Sequence, residues 1–94
     1  MRRFAAYRVG EVELTDERWR HILVYHPDVR GFQKQIAATL ATPDTIHRSR
    51  YDPKVLIFYF RAVRSKYLAV VIKTNRRNFI LTAYFTERIQ HRPL

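Results

Sequence analysis

From Val55 to Val63 the chain reads Val-Leu-Ile-Phe-Tyr-Phe-Arg-Ala-Val, and this stretch limits the possible folds more than any other. Its unbroken apolar part, Val55 to Phe60, is far too short for a membrane span, which takes about 20 apolar residues as a helix. β-Branched and aromatic residues dominate it, so it predicts a strand inside a sheet. Neighbours for that strand follow in the sequence. Arg64-Ser65-Lys66 connects it to Tyr67 through Lys73, and Asn75 to Asn78 turns the chain into Phe79 through Phe85. Ahead of it, Thr45 to Arg50 alternates, and Tyr51-Asp52-Pro53-Lys54 has the residues of a turn. Connections this short favour antiparallel pairing.

The first 44 residues have a different texture. Arg8 to Leu14 alternates and fits a short edge strand or an extended lead-in. Thr15 has the chemistry of an N-cap, because Asp16 and Glu17 place negative charge in the first turn, where the helix dipole favours it. Trp19, Ile22, Leu23 and His26 follow at helical spacing, and Pro27 disfavours helical geometry at His26. Phe32, Ile36, Ala37, Leu40 and Ala41 predict a second helix from about Gly31 to Ala41, ended by Pro43. The expected architecture is α+β: two N-terminal helices packed on one face of a twisted antiparallel sheet of about four strands. Ninety-four residues hold one hydrophobic core, so residues 1–94 are expected to form a single domain. No cysteine is present, which removes disulfides and cysteine zinc sites. The opening ten residues lack the apolar segment of a secretory leader, so a cytoplasmic protein without membrane association is expected.

Charge narrows the partner. Eighteen Lys and Arg face eight Asp and Glu, a formal charge of +10. Residues 1–44 carry seven basic and six acidic side chains, net +1; residues 45–94 carry eleven and two, net +9. Fourteen of the cations are arginine, whose planar fork binds phosphate bidentately and stacks on bases. The expected partner is a polyanion, RNA first.

Strand alternation predicts where that partner sits. In the last strand Phe79, Leu81, Ala83 and Phe85 form the inward set, leaving Ile80, Thr82 and Tyr84 outside. Leu68, Val70 and Ile72 go inward from the strand before it, and Leu56, Phe58 and Phe60 from Val55–Val63. One uncovered face then carries Tyr59, Arg61, Tyr67, Lys73, Thr82 and Tyr84, with Arg76 and Arg77 on the adjoining turn. Cations interleaved with rings suit phosphates and stacked bases. Tyr59 and Tyr67 are equally at home as cross-strand packers, and Arg61 and Lys73 as solvated strand residues.

His21 and His26 flank the first helix. Five residues separate them, about 140° around a regular helix, so only His26 shares the Trp19 stripe while His21 falls beside Arg18 and Tyr25. Metal chelation on a helix uses closer spacing than this, so no metal and no cofactor are expected. A structural role for His26, capping the last carbonyls, fits the same position. His47 and His91 read as surface residues without a role.

Several short motifs, taken in order, resemble a known family. Thr15-Asp16-Glu17-Arg18-Trp19-Arg20-His21-Ile22, His26-Pro27-Asp28, Pro43-Asp44-Thr45-Ile46, Lys66-Tyr67-Leu68 and Ile80-Leu81-Thr82-Ala83-Tyr84 are similar to the phage and prokaryotic branch of the nuclease superfamily that groups barnase, EndoU, colicin and RelE toxins. The likeness runs from about Val12 to Ile89. It implies metal-independent RNA cleavage by a toxin-like endoribonuclease, with histidine acid–base catalysis of 2′-hydroxyl attack. It also implies site residues: a helix histidine, His21 or His26; a strand cation, Arg61 or Lys73; and the pair Thr82 and Tyr84. RNA contact is expected from Tyr59, Tyr67, Lys73, Arg76 and Arg77. An acidic antitoxin or immunity protein is the partner such a basic toxin would have. The same residues leave open a non-catalytic RNA-binding or ribosome-associated module.

Overall fold

The computed structural model describes residues 1–89 of the chain. Strands β1 (Arg2–Ala6) and β2 (Gly10–Leu14) come first, followed by helix α1 (Asp16–Tyr25), a 3-10 turn at Pro27–Val29 and helix α2 (Gln33–Ala41). Four further strands complete the order: β3 (Thr45–Arg48), β4 (Val55–Val63), β5 (Lys66–Lys73) and β6 (Asn78–Thr86). All six form one sheet in the order β1-β2-β6-β5-β4-β3. The pairing of β2 with β6 is parallel and the others are antiparallel.

This corrects the expected sheet. It has six strands rather than about four, it is mixed rather than antiparallel, and the helices follow a hairpin instead of opening the chain. The missed element is β1, Arg-Arg-Phe-Ala-Ala, which buries only Phe4 and Ala6 and so carries too little apolar pattern to read as a strand alone. Its turn depends on two left-handed residues, Arg8 at φ 64° and Gly10 at φ 103°. The parallel contact could not be read locally either, because 63 residues lie between β2 and β6.

The helices form where their signals place them. Thr15 caps α1, its hydroxyl oxygen accepting from the Arg18 N–H at 3.1 Å. The last turn closes with the His26 N–H donating to the Ile22 carbonyl at 2.7 Å, and Pro27 then prevents continuation. α2 starts at Gln33 rather than near Gly31, because the 3-10 turn and Gly31, at φ 83°, intervene. Together they cover one sheet face, burying Ile22, Val29, Ile36 and Leu40 against Phe4, Val12, Leu14, Phe58, Leu68, Ile72 and Ile80.

Ile80 marks a second correction. Val71 pairs with Thr82 while the next residue, Ile72, pairs with Ile80, so Leu81 is an extra residue in β6. This bulge reverses the alternation at the start of the strand. Ile80 joins Ala83 and Phe85 on the helix side, and Phe79, opposite Lys73, shares the other face with Thr82 and Tyr84.

Candidate nucleic-acid interface

The face away from the helices has its own small core. Ile57, Tyr59 and Ala69 are buried there, with Tyr67, Val71, Tyr84 and Ile89 packed around them. Tyr59, Ala69 and Tyr84 lie in one row across β4, β5 and β6. Ala69 contributes only a methyl group to the middle strand, so side chains two strands apart, about 10 Å between backbones, meet above it. Tyr59 and Tyr84 are joined there by a side-chain hydrogen bond. Tyr59 is only 1% exposed, with the Tyr67 ring 6.4 Å away and the His47 ring 5.3 Å away, both edge-on. Expected as a stacking platform for bases, Tyr59 is instead the packed centre of this face. His47, expected at the surface, is 4% exposed on β3 opposite Ile57. His91 lies outside the described residues.

Helix α1 brings one histidine to this face. β2 and β6 pair only through Val12 with Asn78 and Glu13 with Phe79, and past that point β2 leaves the sheet to become α1. α1 then runs beside the margin of β6, where the Arg18 guanidinium donates to the Leu81 carbonyl at 3.5 Å. Two turns on, the half-buried His26 ring lies 5.6 Å from the Tyr84 ring. His21 is exposed on the flank, 5.0 Å from the ring of Tyr25. Of the two candidates, the fold therefore sets His26 against the Thr82-Ala83-Tyr84 segment. Arg18, Ile22 and His26 follow at i, i+4 and i+8, the sequence signal by which Arg18 belongs with this margin.

Burial raises the pKa of Tyr84, and the hydrogen bond with Tyr59 offsets part of that rise. Its phenol stays protonated above the ordinary tyrosine range, near pH 10. A tyrosine raised in the folded state favours the fold below its unfolded pKa and loses that contribution as pH rises through the folded value. In an ultraviolet pH titration Tyr84 is expected to ionise above the ordinary tyrosine range, and Tyr59→Phe to delay it further. Ionisation of Tyr84 within the ordinary range would contradict the burial.

Arg61 occupies the neighbouring row with Tyr67 and Thr86. Its guanidinium sits over the Tyr67 ring at 5.2 Å, and its backbone N–H donates to the Asp44 carboxylate at 2.7 Å, fixing that end of β4. Lys73 is ion-paired with Asp52 at 3.1 Å. The Lys54 N–H and then Lys73 hold the Asp52 carboxyl below the usual carboxylate range. Thr82 is half-buried in the row between those of Tyr84 and Lys73. Arg76 and Arg77 are exposed beyond the Lys73 end of the sheet, with Arg77 3.9 Å from Glu13.

The expected residues thus divide. His26, Tyr84 and Thr82 gather at the α1–β6 margin with Arg61 and Tyr67 on the adjoining rim, whereas His21, Lys73 and the Arg76–Arg77 turn lie apart from that centre. Arg18 and His47 are additional members. Compared with known proteins, the chain matches no family model, no curated sequence and no solved structure. Among the described residues no three His, Asp or Glu side chains gather into a metal-ligand set, and no helix is long and apolar enough to cross a membrane.

Proposed function

We propose that this domain binds single-stranded RNA on the sheet face away from the helices and cleaves it as a metal-independent, toxin-like endoribonuclease of the barnase, EndoU, colicin and RelE kind. One observation carries the reading: a helix-end imidazole set 5.6 Å from a protonated tyrosine, on a sheet face rimmed by an arginine stacked on a second tyrosine. RNA supplies its own nucleophile. A base takes the proton of the 2′-hydroxyl, the new O2′–P bond forms, the P–O5′ bond breaks, and an acid protonates the departing 5′-oxygen, leaving a 2′,3′-cyclic phosphate. His26 serves one of the two proton transfers. Tyr84 donates a hydrogen bond to a non-bridging oxygen, Thr82 supports it, and Arg61 and Arg18 offset the charge that builds on phosphorus.

A second reading, a non-catalytic RNA-binding or ribosome-associated module, is favoured by the engagement of Tyr84 with Tyr59 and of Lys73 with Asp52. It keeps the Arg61–Tyr67 pair as a stacking and phosphate contact and needs no histidine. In either case we propose a cytoplasmic location, and an acidic antitoxin or immunity protein as partner fits the net charge of +10. The experiment is incubation of the full chain with single-stranded RNA in EDTA across a salt series. Binding is expected to weaken with a slope of log K against log salt of about −0.7 per phosphate contacted, and cyclic-phosphate products should accumulate. A flat slope excludes nucleic acid; a steep slope with no product selects the module.

A further inference from the structure

Where β2 turns away from β6, the sheet face opens into a groove of about 310 Å3 lined by Glu13, Thr15, Arg18, Arg77, Phe79 and Ile80. Two features noted above create it. The parallel pairing stops at Glu13 and Phe79, and the β6 bulge puts the Phe79 ring on this side instead of in the core. Arg18 reaches in from the helix wall, its guanidinium tethered to the Leu81 carbonyl. Arg77 also lines it and is 83% exposed, only loosely paired at 3.9 Å with Glu13, whose side chain is 15% exposed. The groove therefore combines an aromatic surface, a recessed carboxylate and two guanidinium groups.

That set of groups does not suit a bare anion, because Glu13 repels one. It suits a nucleotide: a ring to stack on Phe79, amino hydrogens for the Glu13 carboxylate to accept, and a phosphate for Arg18 and Arg77. We infer that the groove is a base-selective subsite for one nucleotide of the RNA strand, which favours bases bearing an exocyclic amine and discriminates against uracil. The inference rests on the RNA reading above and adds to it a position and a preference. Phe79 and Tyr84 lie five positions apart on β6, about 16 Å along a strand. Thr15 and Arg18 also line a hollow beside His21. The nucleotide held on Phe79 therefore lies further along the RNA strand than the one presented to His26, not next to it, and the subsite selects where on the strand cleavage falls.

The test uses 2′-O-methylated hexamers of cytidine and of uridine, which lack the attacking hydroxyl, and measures their binding to the full chain by fluorescence anisotropy. The cytidine hexamer is expected to bind about tenfold more tightly than the uridine one. Glu13→Ala should abolish that preference, with circular dichroism and the urea midpoint showing that the variant is folded. Phe79→Ala should weaken both by about tenfold, with recovery in Phe79→Trp. Equal affinity for the two hexamers, or an undiminished preference in Glu13→Ala, overturns the subsite and leaves the RNA reading standing. Failure of either hexamer to bind in a salt-dependent way overturns both.

Discussion

Replacing His26 with alanine is expected to lower RNA cleavage in EDTA by about a hundred- to ten-thousandfold, the usual range for losing a positioned proton-transfer group. The substitution keeps the backbone N–H that closes α1 onto the Ile22 carbonyl, so the helix end survives and RNA affinity should change little. His21→Ala, on the exposed flank of the same helix, is expected to cost far less. The contrast follows from geometry: α1 runs along the margin that β2 vacates, and only the His26 ring reaches Tyr84. Measuring initial rates of cyclic-phosphate formation for both variants, alongside hexamer affinity, separates chemistry from binding. Wild-type rates in His26→Ala would remove the imidazole from the mechanism. Equal losses in both variants would mean that the helix as a whole, and not its terminal ring, matters.

Tyr59→Ala is expected to destabilise the fold by about 3 to 5 kcal/mol, as for other large aromatic truncations in a packed interior. Tyr59→Phe keeps the ring and removes only the hydroxyl shared with Tyr84, so about 1 kcal/mol is expected. Urea unfolding with a shared slope for all variants measures both. The magnitude decides between two roles for one side chain. A tyrosine waiting for a base at the surface can be truncated at little cost in stability, whereas one only 1% exposed above Ala69, with rings on three sides, cannot. Tyr67, half-buried and carrying Arg61 over its ring, is expected to behave in the opposite way. Tyr67→Ala should weaken RNA binding by more than it weakens the fold. A stability loss for Tyr59→Ala within about 0.5 kcal/mol, as for ordinary surface positions, would place its ring in solvent.

These two experiments bear on different layers of the same face. The buried Tyr59–Tyr84 contact fixes the position of the Tyr84 phenol, and the helix margin fixes the imidazole beside it. An arginine that stacks on a tyrosine at the rim stays free to exchange that contact for a nucleobase, because both partners offer it a π face of similar strength.

Local signals were enough for the elements with strong periodicity. Thr15 with Asp16 and Glu17 placed the start of α1, Pro27 placed its end, and the apolar run at Val55 placed the longest strand, because each depends on interactions within a few residues. The alternation of β4 and β5 likewise assigned Leu56, Phe58, Leu68, Val70 and Ile72 to the helix side. Other features depend on residues far apart in the chain. β1 becomes a strand because β2 turns back on it, and β2 lies beside β6 across 63 intervening residues. The bulge at Leu81 arises from how β6 registers against β5, and it moved Phe79 onto the face away from the helices and Ile80 into the core. Composition by itself determined that this chain carries a surplus of arginine and a net charge of +10. Tertiary structure decided which rings remained available to it, since burial is a property of what packs on top of a residue and no residue encodes its own cover.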